Sequence, residues 1–200
     1  MIKFQNSREF NEIIKDLKNK KFSEALKKLK LVSVNYPKEN MILRLYAVIY
    51  FNLNEWENAI KYYEKILIFE KELHKIYINI GVSYFKLGKI NQSIDAFNKS
   101  IKNNPNFGLA HNNMGISYLE LGMYEKAVIQ FITALKINNE DYQAQTNLIN
   151  TFSLNKPKIN DEHPLIEIND KIEKLTQNKK FNTKFENKNI KELLEKSNKL

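Results

Sequence analysis

A period of 34 residues runs through most of the sequence and constrains the fold more than any other feature. The segment NMGISYLELG (113–122) repeats the arrangement of NIGVSYFKLG (79–88), so that Asn, Gly, Tyr and Gly recur at equal spacing. A glycine in a helix interior costs about 1 kcal/mol relative to alanine, so a glycine that recurs there needs a structural reason. A fixed period of this length is typical of repeat proteins, in which each unit packs against its neighbours.

The period divides the chain into frames with the same internal pattern. In both halves of a frame, apolar residues recur at i, i+3, i+4 and i+7, as in Tyr77, Ile80, Gly81 and Tyr84. This spacing predicts two short amphipathic helices per frame, joined by a tight turn. The frames are 6–39, 40–73, 74–107, 108–141 and a partial frame at 142–175.

The glycines fit two positions in such a helical hairpin. Gly88 and Gly122 follow the first helix of their frames, where a left-handed residue closes a helix at low cost. Gly81 and Gly115 lie on the apolar face of that helix, and there a missing side chain lets the second helix approach closely. Small residues recur in the second helices and are expected at the same contact: Ala25, Ala59, Ser93 and Ala127.

The order of small residues, a tyrosine, an alanine, an aromatic residue and a proline resembles the tetratricopeptide repeat. Frame 40–73 departs from it at Asn54 and Lys71, where turn glycine and proline are usual. Frame 6–39 departs at Ile13 and Asp16, as expected of a capping repeat. The resemblance implies an all-α fold, a right-handed α-solenoid of helix–turn–helix repeats over residues 6–153.

The pattern breaks after Phe152. SLNKPKINDEHP (153–164) is predicted to be a loop, and the divergent segment 154–200 is predicted to form two further helices at about 164–176 and 188–199. We expect these helices to cap the array, although the last one could instead occupy its groove. The sequence also leaves open whether the chain is part of a longer protein.

Composition narrows the functional classes. The chain lacks cysteine, which excludes disulfides and Cys-ligated metal sites, and no apolar run approaches the length of a signal peptide or a membrane span. We therefore expect a cytoplasmic protein that does not associate with membranes. The net charge of +9 comes from lysine, with Arg8 and Arg44 the only arginines, and no basic stripe with interleaved aromatics suggests nucleic-acid binding.

Enzymatic motifs are not found. GVSYFKLGKI (81–90) has the wrong glycine spacing for a phosphate loop, and the repeat explains it. His111 falls where neighbouring frames have Leu43 and Tyr77, which indicates packing, and the DEH triplet (161–163) is a weak signal for metal. We expect no catalytic activity, no metal and no cofactor.

One candidate binding constellation emerges from the period. Asn79, Asn113 and Asn147 are spaced by 34 residues, Asn11 shares their phase, and Leu45 interrupts the series. In the family, first helices line the concave side of the superhelix, and this phase resembles the asparagine ladder of the O-linked N-acetylglucosamine transferase repeats, which contacts peptide backbones. A carboxamide offers both donors and an acceptor, which suits an extended peptide. Asparagines tolerated on a solvated face are the alternative.

Further residues are expected on the same surface. The polar ones are Arg44, Lys75, Lys86, Asn112, Gln143 and Asn150. An apolar strip consists of Val48, Val82, Ile116, Phe51, Phe85 and Leu119, and packing between adjacent first helices is the favoured explanation for it. A carboxylate clamp for acidic chaperone tails needs Lys and Asn one turn apart on a first helix. No pair here fits, since the corresponding residues are Phe10/Ile14, Arg44/Val48, Ile78/Val82 and Asn112/Ile116.

Three functional hypotheses follow. The first is a non-catalytic module that binds an extended peptide or partner segment in a concave groove. The second is the substrate-recruiting arm of a larger enzyme, such as a glycosyl- or sulfo-transferase. The third is self-assembly through unsealed ends of the repeat array. The partner and the oligomeric state cannot be read from the sequence.

Overall fold

A computed structural model describes residues 4–37 and 39–155, in which every regular element is helical. The chain divides into two compact units, Met1–Pro105 and Asn106–Leu200. The helices are α1 (Arg8–Lys18), α2 (Phe22–Ser33), α3 (Asn40–Asn52), α4 (Trp56–Ile66), α5 (Leu73–Lys86), α6 (Ile90–Asn103), α7 (Gly108–Glu120), α8 (Tyr124–Ile137) and α9 (Tyr142–Asn155). The predicted helix pairs of frames 6–39 to 108–141 are thus confirmed.

The first unit contains three helical hairpins, α1–α2, α3–α4 and α5–α6, and α2 also packs against α3 and α4 against α5. A short 3-10 turn, Phe4–Asn6, precedes α1. Its Phe4 is fully buried against the rings of Phe10 and Tyr36. Ser7 then caps α1, because its Oγ accepts a hydrogen bond from the backbone N–H of Phe10 at 3.1 Å.

The second unit has α8 at its centre. This helix packs against both α7 and α9, and α7 and α9 also contact each other. Buried side chains of α8, among them Val128, Phe131 and Leu135, form its core with Ala144 and Leu148 of α9. Asp141 caps α9, because its Oδ1 accepts hydrogen bonds from two backbone N–H groups at 3.0 Å.

The turns within the hairpins repeat one backbone conformation. Gly88 and Gly122 have φ values of +71° and +68°, which confirms the left-handed ends predicted for their helices. The same phase of the two preceding frames carries Lys20 (φ +57°) and Asn54 (φ +61°). The left-handed turn conformation is therefore kept in the first two repeats, although neither has a glycine at this position.

The helix-interior glycines are spacers, as predicted. A Cβ added at Gly115 would lie 2.6 Å from Cε1 of Phe131, and one added at Gly81 would overlap the ring of Phe97. The small residues of the second helices, Ala25, Ala59, Ser93 and Ala127, are completely buried. In the hairpins α5–α6 and α7–α8, an aromatic ring of the second helix thus occupies the space over the glycine of the first.

One predicted boundary is wrong. The loop expected from residue 153 does not begin there, because α9 continues to Asn155, the last residue that the structure describes. The helices predicted at about 164–176 and 188–199 lie outside the described residues. Within the described part of the chain, no helix combines the length and the apolar character needed to cross a bilayer.

Candidate functional site

The three periodic asparagines occupy equivalent places in their helices. Asn79 lies on α5 in the first unit, whereas Asn113 and Asn147 lie on α7 and α9 in the second. All three are half-buried. The carboxamides of Asn79 and Asn113 form no side-chain hydrogen bond with another described residue, so their donors and acceptor are available.

A buried hydroxyl group donates to the main-chain carbonyl of each of these asparagines, and it was missed in the sequence. Ser83 Oγ donates to the carbonyl of Asn79 at 2.7 Å, and Ser117 and Thr151 donate in the same way to Asn113 and Asn147. The three hydroxyl residues are themselves 34 apart and are 0–2% exposed. The detectable signal is Asn followed four residues later by Ser or Thr, repeated at the period.

The repeat at 40–73, in which Leu45 interrupts the asparagine series, lacks both the asparagine and the hydroxyl residue of this motif. Leu45 stands at the asparagine phase and is 5% exposed, and the buried Ile49 stands at the hydroxyl phase. Asn11, at the same phase of the first repeat, is exposed and is followed by Lys15. The paired motif is therefore confined to the last three described first helices.

Asn112 was predicted to lie on the exposed binding surface, and this prediction is wrong. Its side chain is 1% exposed, and its Oδ1 accepts a hydrogen bond of 3.0 Å from Nδ2 of Asn147. The reason is the contact between α7 and α9, which encloses the face of α7 that carries Asn112. Asn112 can therefore contact a ligand only through Asn147.

The remaining candidates of the first unit are cationic. Arg44 Nε forms an ion pair with Glu70, and its guanidinium lies 5.8 Å from the centre of the Phe69 ring. Lys75 Nζ lies 2.8 Å from Glu72 Oε1, and this hydrogen bond lowers the pKa of Glu72. Lys86 is exposed near the end of α5. Arg44 and Lys75 are thus paired with acidic residues of their own chain, and Lys75 and Lys86 are the more exposed cations.

The remaining candidates of the second unit are uncharged. Gln143 and Asn150 are both exposed on α9. No acidic or basic residue occurs anywhere between Tyr142 and Asn155, the whole length of that helix. The second unit therefore offers amides where the first offers cations.

The apolar strip is only partly enclosed. Phe51 packs edge-to-face on Trp56 and Tyr63, and Ile116 and Leu119 pack against the core of the second unit. Val48 is 41% exposed. Packing explains the three residues with core contacts, and Val48 remains exposed to a ligand.

The described residues show no arrangement for metal binding. No group of three or more His, Asp and Glu side chains among them could hold a metal ion. His111 is buried and its Nδ1 lies 2.8 Å from Gln130 Oε1, which confirms the predicted packing role. The DEH triplet lies outside the described residues.

Comparison with known families gives a consistent result. Three family profiles, each described as tetratricopeptide repeat, match residues 14–71, 74–107 and 96–129. Together they span most of the described helices, and the chain belongs to the tetratricopeptide-repeat family. A comparison with curated protein sequences finds no match.

Solved structures with the same fold are distant in sequence. The crystal structure of MamA protein matches with a TM-score of 0.69 at 18% identity, covering 89% of this chain and 96% of that one. The first TPR of Spaghetti (RPAP3), bound to the HSP90 peptide SRMEEVD, matches with a TM-score of 0.54 at 19% identity and covers 58% and 92%. The TPR2B domain of yeast Sti1, in a pHsp70 complex, matches with a TM-score of 0.52 at 22% identity and covers 57% and 96%. These likenesses show an all-α fold of helical repeats.

Proposed function

We propose that this chain is a non-catalytic protein-interaction module that binds an extended peptide or partner segment along its first helices. The observation that carries the proposal is the repetition, at the 34-residue period, of a half-buried asparagine whose main-chain carbonyl accepts from a buried hydroxyl four residues later. A core needs neither part of this motif, because Leu45 and Ile49 fill the same phases in another repeat. The period places one such group on each of α5, α7 and α9.

The chemistry of a carboxamide suits recognition of a main chain. It can donate to a peptide carbonyl and accept from a peptide N–H, whatever side chains the peptide carries. Repeat proteins present such groups at regular intervals on an extended surface. Each hydrogen bond of this kind contributes about 0.5–1.5 kcal/mol, so several in series are needed for useful affinity.

An acidic chaperone tail is a poor candidate for this partner. Similar structures hold peptides of HSP90 and Hsp70. In the present chain the phases that a carboxylate clamp requires carry Ile78 and Val82 on α5, and the buried Asn112 with Ile116 on α7. Arg44, the one arginine at a clamp phase, is paired with Glu70.

The proposal is tested by affinity capture with quantitative mass spectrometry. The variant carries Asn79→Ala, Asn113→Ala and Asn147→Ala, and we expect it to lose partners that wild type captures, with affinity lowered by about tenfold or more. The matched control carries Asn35→Ala, Asn91→Ala and Asn98→Ala at exposed asparagines of other phases. Equal capture by both variants would contradict the role of the ladder, provided that both keep the helicity of wild type.

A further inference from the structure

The buried Asn112 and the ladder residue Asn147 are joined by a side-chain hydrogen bond within the second unit. Asn112 is one of the few polar side chains that are almost completely enclosed, and its Oδ1 accepts from Asn147 Nδ2 at 3.0 Å. A buried amide oxygen without a partner would cost about 1–3 kcal/mol, so this bond is strongly favoured once α7 and α9 are packed.

The bond to Asn112 uses only part of the hydrogen-bonding capacity of the Asn147 carboxamide, which has two N–H donors and one acceptor oxygen. One of its amide protons is engaged by Asn112, and its main-chain carbonyl accepts from Thr151 Oγ1 at 2.7 Å. The bond to Asn112 orients the carboxamide, and Oδ1 forms no hydrogen bond with another described residue. The carboxamide of Asn113, in contrast, forms no hydrogen bond with another described residue that would select one orientation.

We propose that Asn112 is a positioning residue that holds the Asn147 carboxamide with its Oδ1 ready to accept a main-chain N–H of a bound extended peptide. The inference rests on the proposed function and specifies one contact of the bound peptide, the one made to Asn147 Oδ1. Fixing a side chain before binding avoids the loss of rotamer freedom on binding, which is worth up to about tenfold in affinity.

The same helix indicates the chemistry of the occupant. Because α9 carries no charged residue, an acidic or basic segment would lose hydration there without gaining an ion pair. The occupant is therefore an extended polypeptide segment that is uncharged where it contacts α9 and has a free N–H at Asn147. Proline, which has no N–H, is excluded there.

The first experiment needs no ligand. In wild type, NMR relaxation of the Asn147 side-chain amide should show a rigid group. Asn112→Leu removes the acceptor while keeping the number and branching of the side-chain heavy atoms, and it should make that amide mobile, whereas Asn112→Asp retains an acceptor and should keep it rigid. Val128→Ala, a core substitution in α8, serves as the control for loss of packing alone and should leave the amide rigid. An amide that is equally mobile in wild type and in Asn112→Leu would overturn the inference.

The second experiment uses a defined probe. A capped peptide of alternating Ser and Ala is titrated into the intact protein, and the same peptide with N-methyl groups on alternate residues serves as the comparison. Wild type and Asn112→Asp should bind the unmodified peptide more tightly than the N-methylated one. Asn112→Leu should bind the unmodified peptide several-fold more weakly, and Val128→Ala should bind like wild type.

The outcomes separate the two proposals. Failure of wild type to bind the unmodified peptide would overturn backbone recognition, and the inference would fall with it. Binding by wild type that is unchanged in Asn112→Leu, or equal for the N-methylated peptide, would overturn the positioning role alone.

Discussion

Lys20 adopts a left-handed backbone conformation at the turn between α1 and α2, with φ of +57°. The equivalent turns carry Asn54, Gly88 and Gly122 with nearly the same φ. A left-handed conformation costs a residue with a Cβ roughly 1–2 kcal/mol, less for asparagine and almost nothing for glycine. Lys20 is therefore the residue at which this repeated turn is most strained.

Replacing Lys20 with glycine should stabilise the protein. We expect Lys20→Gly to raise the free energy of unfolding by about 0.5–1 kcal/mol, because relief of the backbone outweighs the extra freedom of the unfolded chain. Chemical denaturation measures the change. Lys18→Gly, within the last turn of α1, is the control and should lower stability by a similar amount. A loss of stability in both variants would show that the Lys20 side chain matters more than its backbone.

Tyr63 is a second residue with a measurable energetic signature. It is 3% exposed, and its phase in the next two repeats is occupied by Phe97 and Phe131. Burial raises the pKa of Tyr63 above its ordinary value of 10.0. The neutral form of Tyr63 is thus favoured in the folded state. Its contribution to the free energy of unfolding is therefore complete below pH 10 and is lost as the pH rises above that value.

The variant Tyr63→Phe should therefore resist alkaline unfolding. At neutral pH we expect a change within about 1 kcal/mol, since the phenyl ring fills the same space. At pH 11 the variant should gain about 1 kcal/mol relative to wild type, because one pKa unit corresponds to about 1.4 kcal/mol. Denaturation curves at several pH values test this, with Tyr142→Phe, which alters an exposed ring, as the control. A parallel decline of Tyr63→Phe and wild type would contradict it.

The sequence predicts residue roles well where they depend on local geometry. Gly88 and Gly122 were predicted to be left-handed because position and residue type alone favour it. Asn112 could not be placed in the same way, because its burial depends on α7 meeting α9. Periodicity predicts which face of a helix points inward, but it does not predict how far a neighbouring repeat covers the edge of that face.

At the scale of helices, the close approach within a hairpin depends on complementary sizes. Gly81 and Gly115 lie against Phe97 and Phe131. The same two phases carry Ala47 with Tyr63 in the second repeat, and Ile13 with Leu29 in the first. All eight residues are buried, and the first helix carries Gly or Ala wherever the second carries an aromatic ring, whereas Ile13 goes with the aliphatic Leu29. An aromatic ring at this phase of the second helix therefore goes with a small residue on the first helix.

Alanine at Gly115 should destabilise the second unit, although alanine is the better helix former. Its Cβ would lie 2.6 Å from the Phe131 ring, so one helix must move. Overpacking of this kind costs about 1–3 kcal/mol and outweighs the gain of about 1 kcal/mol in helix propensity. Thermal and chemical unfolding followed by circular dichroism measure the loss.

Two further variants make this prediction specific to the contact. Gly108→Ala is the matched control, because its added Cβ would have no neighbour nearer than 3.5 Å, and it should leave stability equal or slightly higher. Phe131→Leu combined with Gly115→Ala should be less destabilised than the sum of the single variants. Additive losses would mean that Gly115 and Phe131 do not determine the spacing.

The first repeat shows what sequence analysis of elements can and cannot provide. Asp16 was read as a departure that marks a capping repeat, because the phase usually holds tyrosine. In the structure Asp16 Oδ2 lies 2.6 Å from Lys28 Nζ. The same two phases of the second repeat hold Tyr50 and Tyr62, whose rings stack at 5.5 Å. An ion pair in the first repeat thus replaces the stacked rings of the second. The sequence shows that Asp16 departs from the pattern, but only the structure shows that Lys28 is its partner.

At the scale of the whole chain, the two units differ in what they offer a partner. The first unit presents Lys75 and Lys86 beside Asn79, whereas the candidates of the second unit are amides throughout. Each unit also has its own packed core. The fold could be predicted from the period, because every repeat obeys the same pattern. The division into two units could not, because nothing in the 34-residue spacing changes at residue 105.

The single tryptophan allows the stability of the units to be followed separately. Trp56 lies in α4 of the first unit, edge-to-face with Phe51 at 5.5 Å, so its fluorescence reports that unit, whereas far-ultraviolet circular dichroism reports the helices of both. Because repeat proteins gain stability from local contacts, a substitution is expected to lower first the stability of the unit that contains it. Gly115→Ala should shift the circular dichroism transition to lower denaturant and shift the Trp56 transition much less, whereas Gly81→Ala should shift both. Equal shifts of the two signals in Gly115→Ala would show that the chain unfolds as one cooperative body.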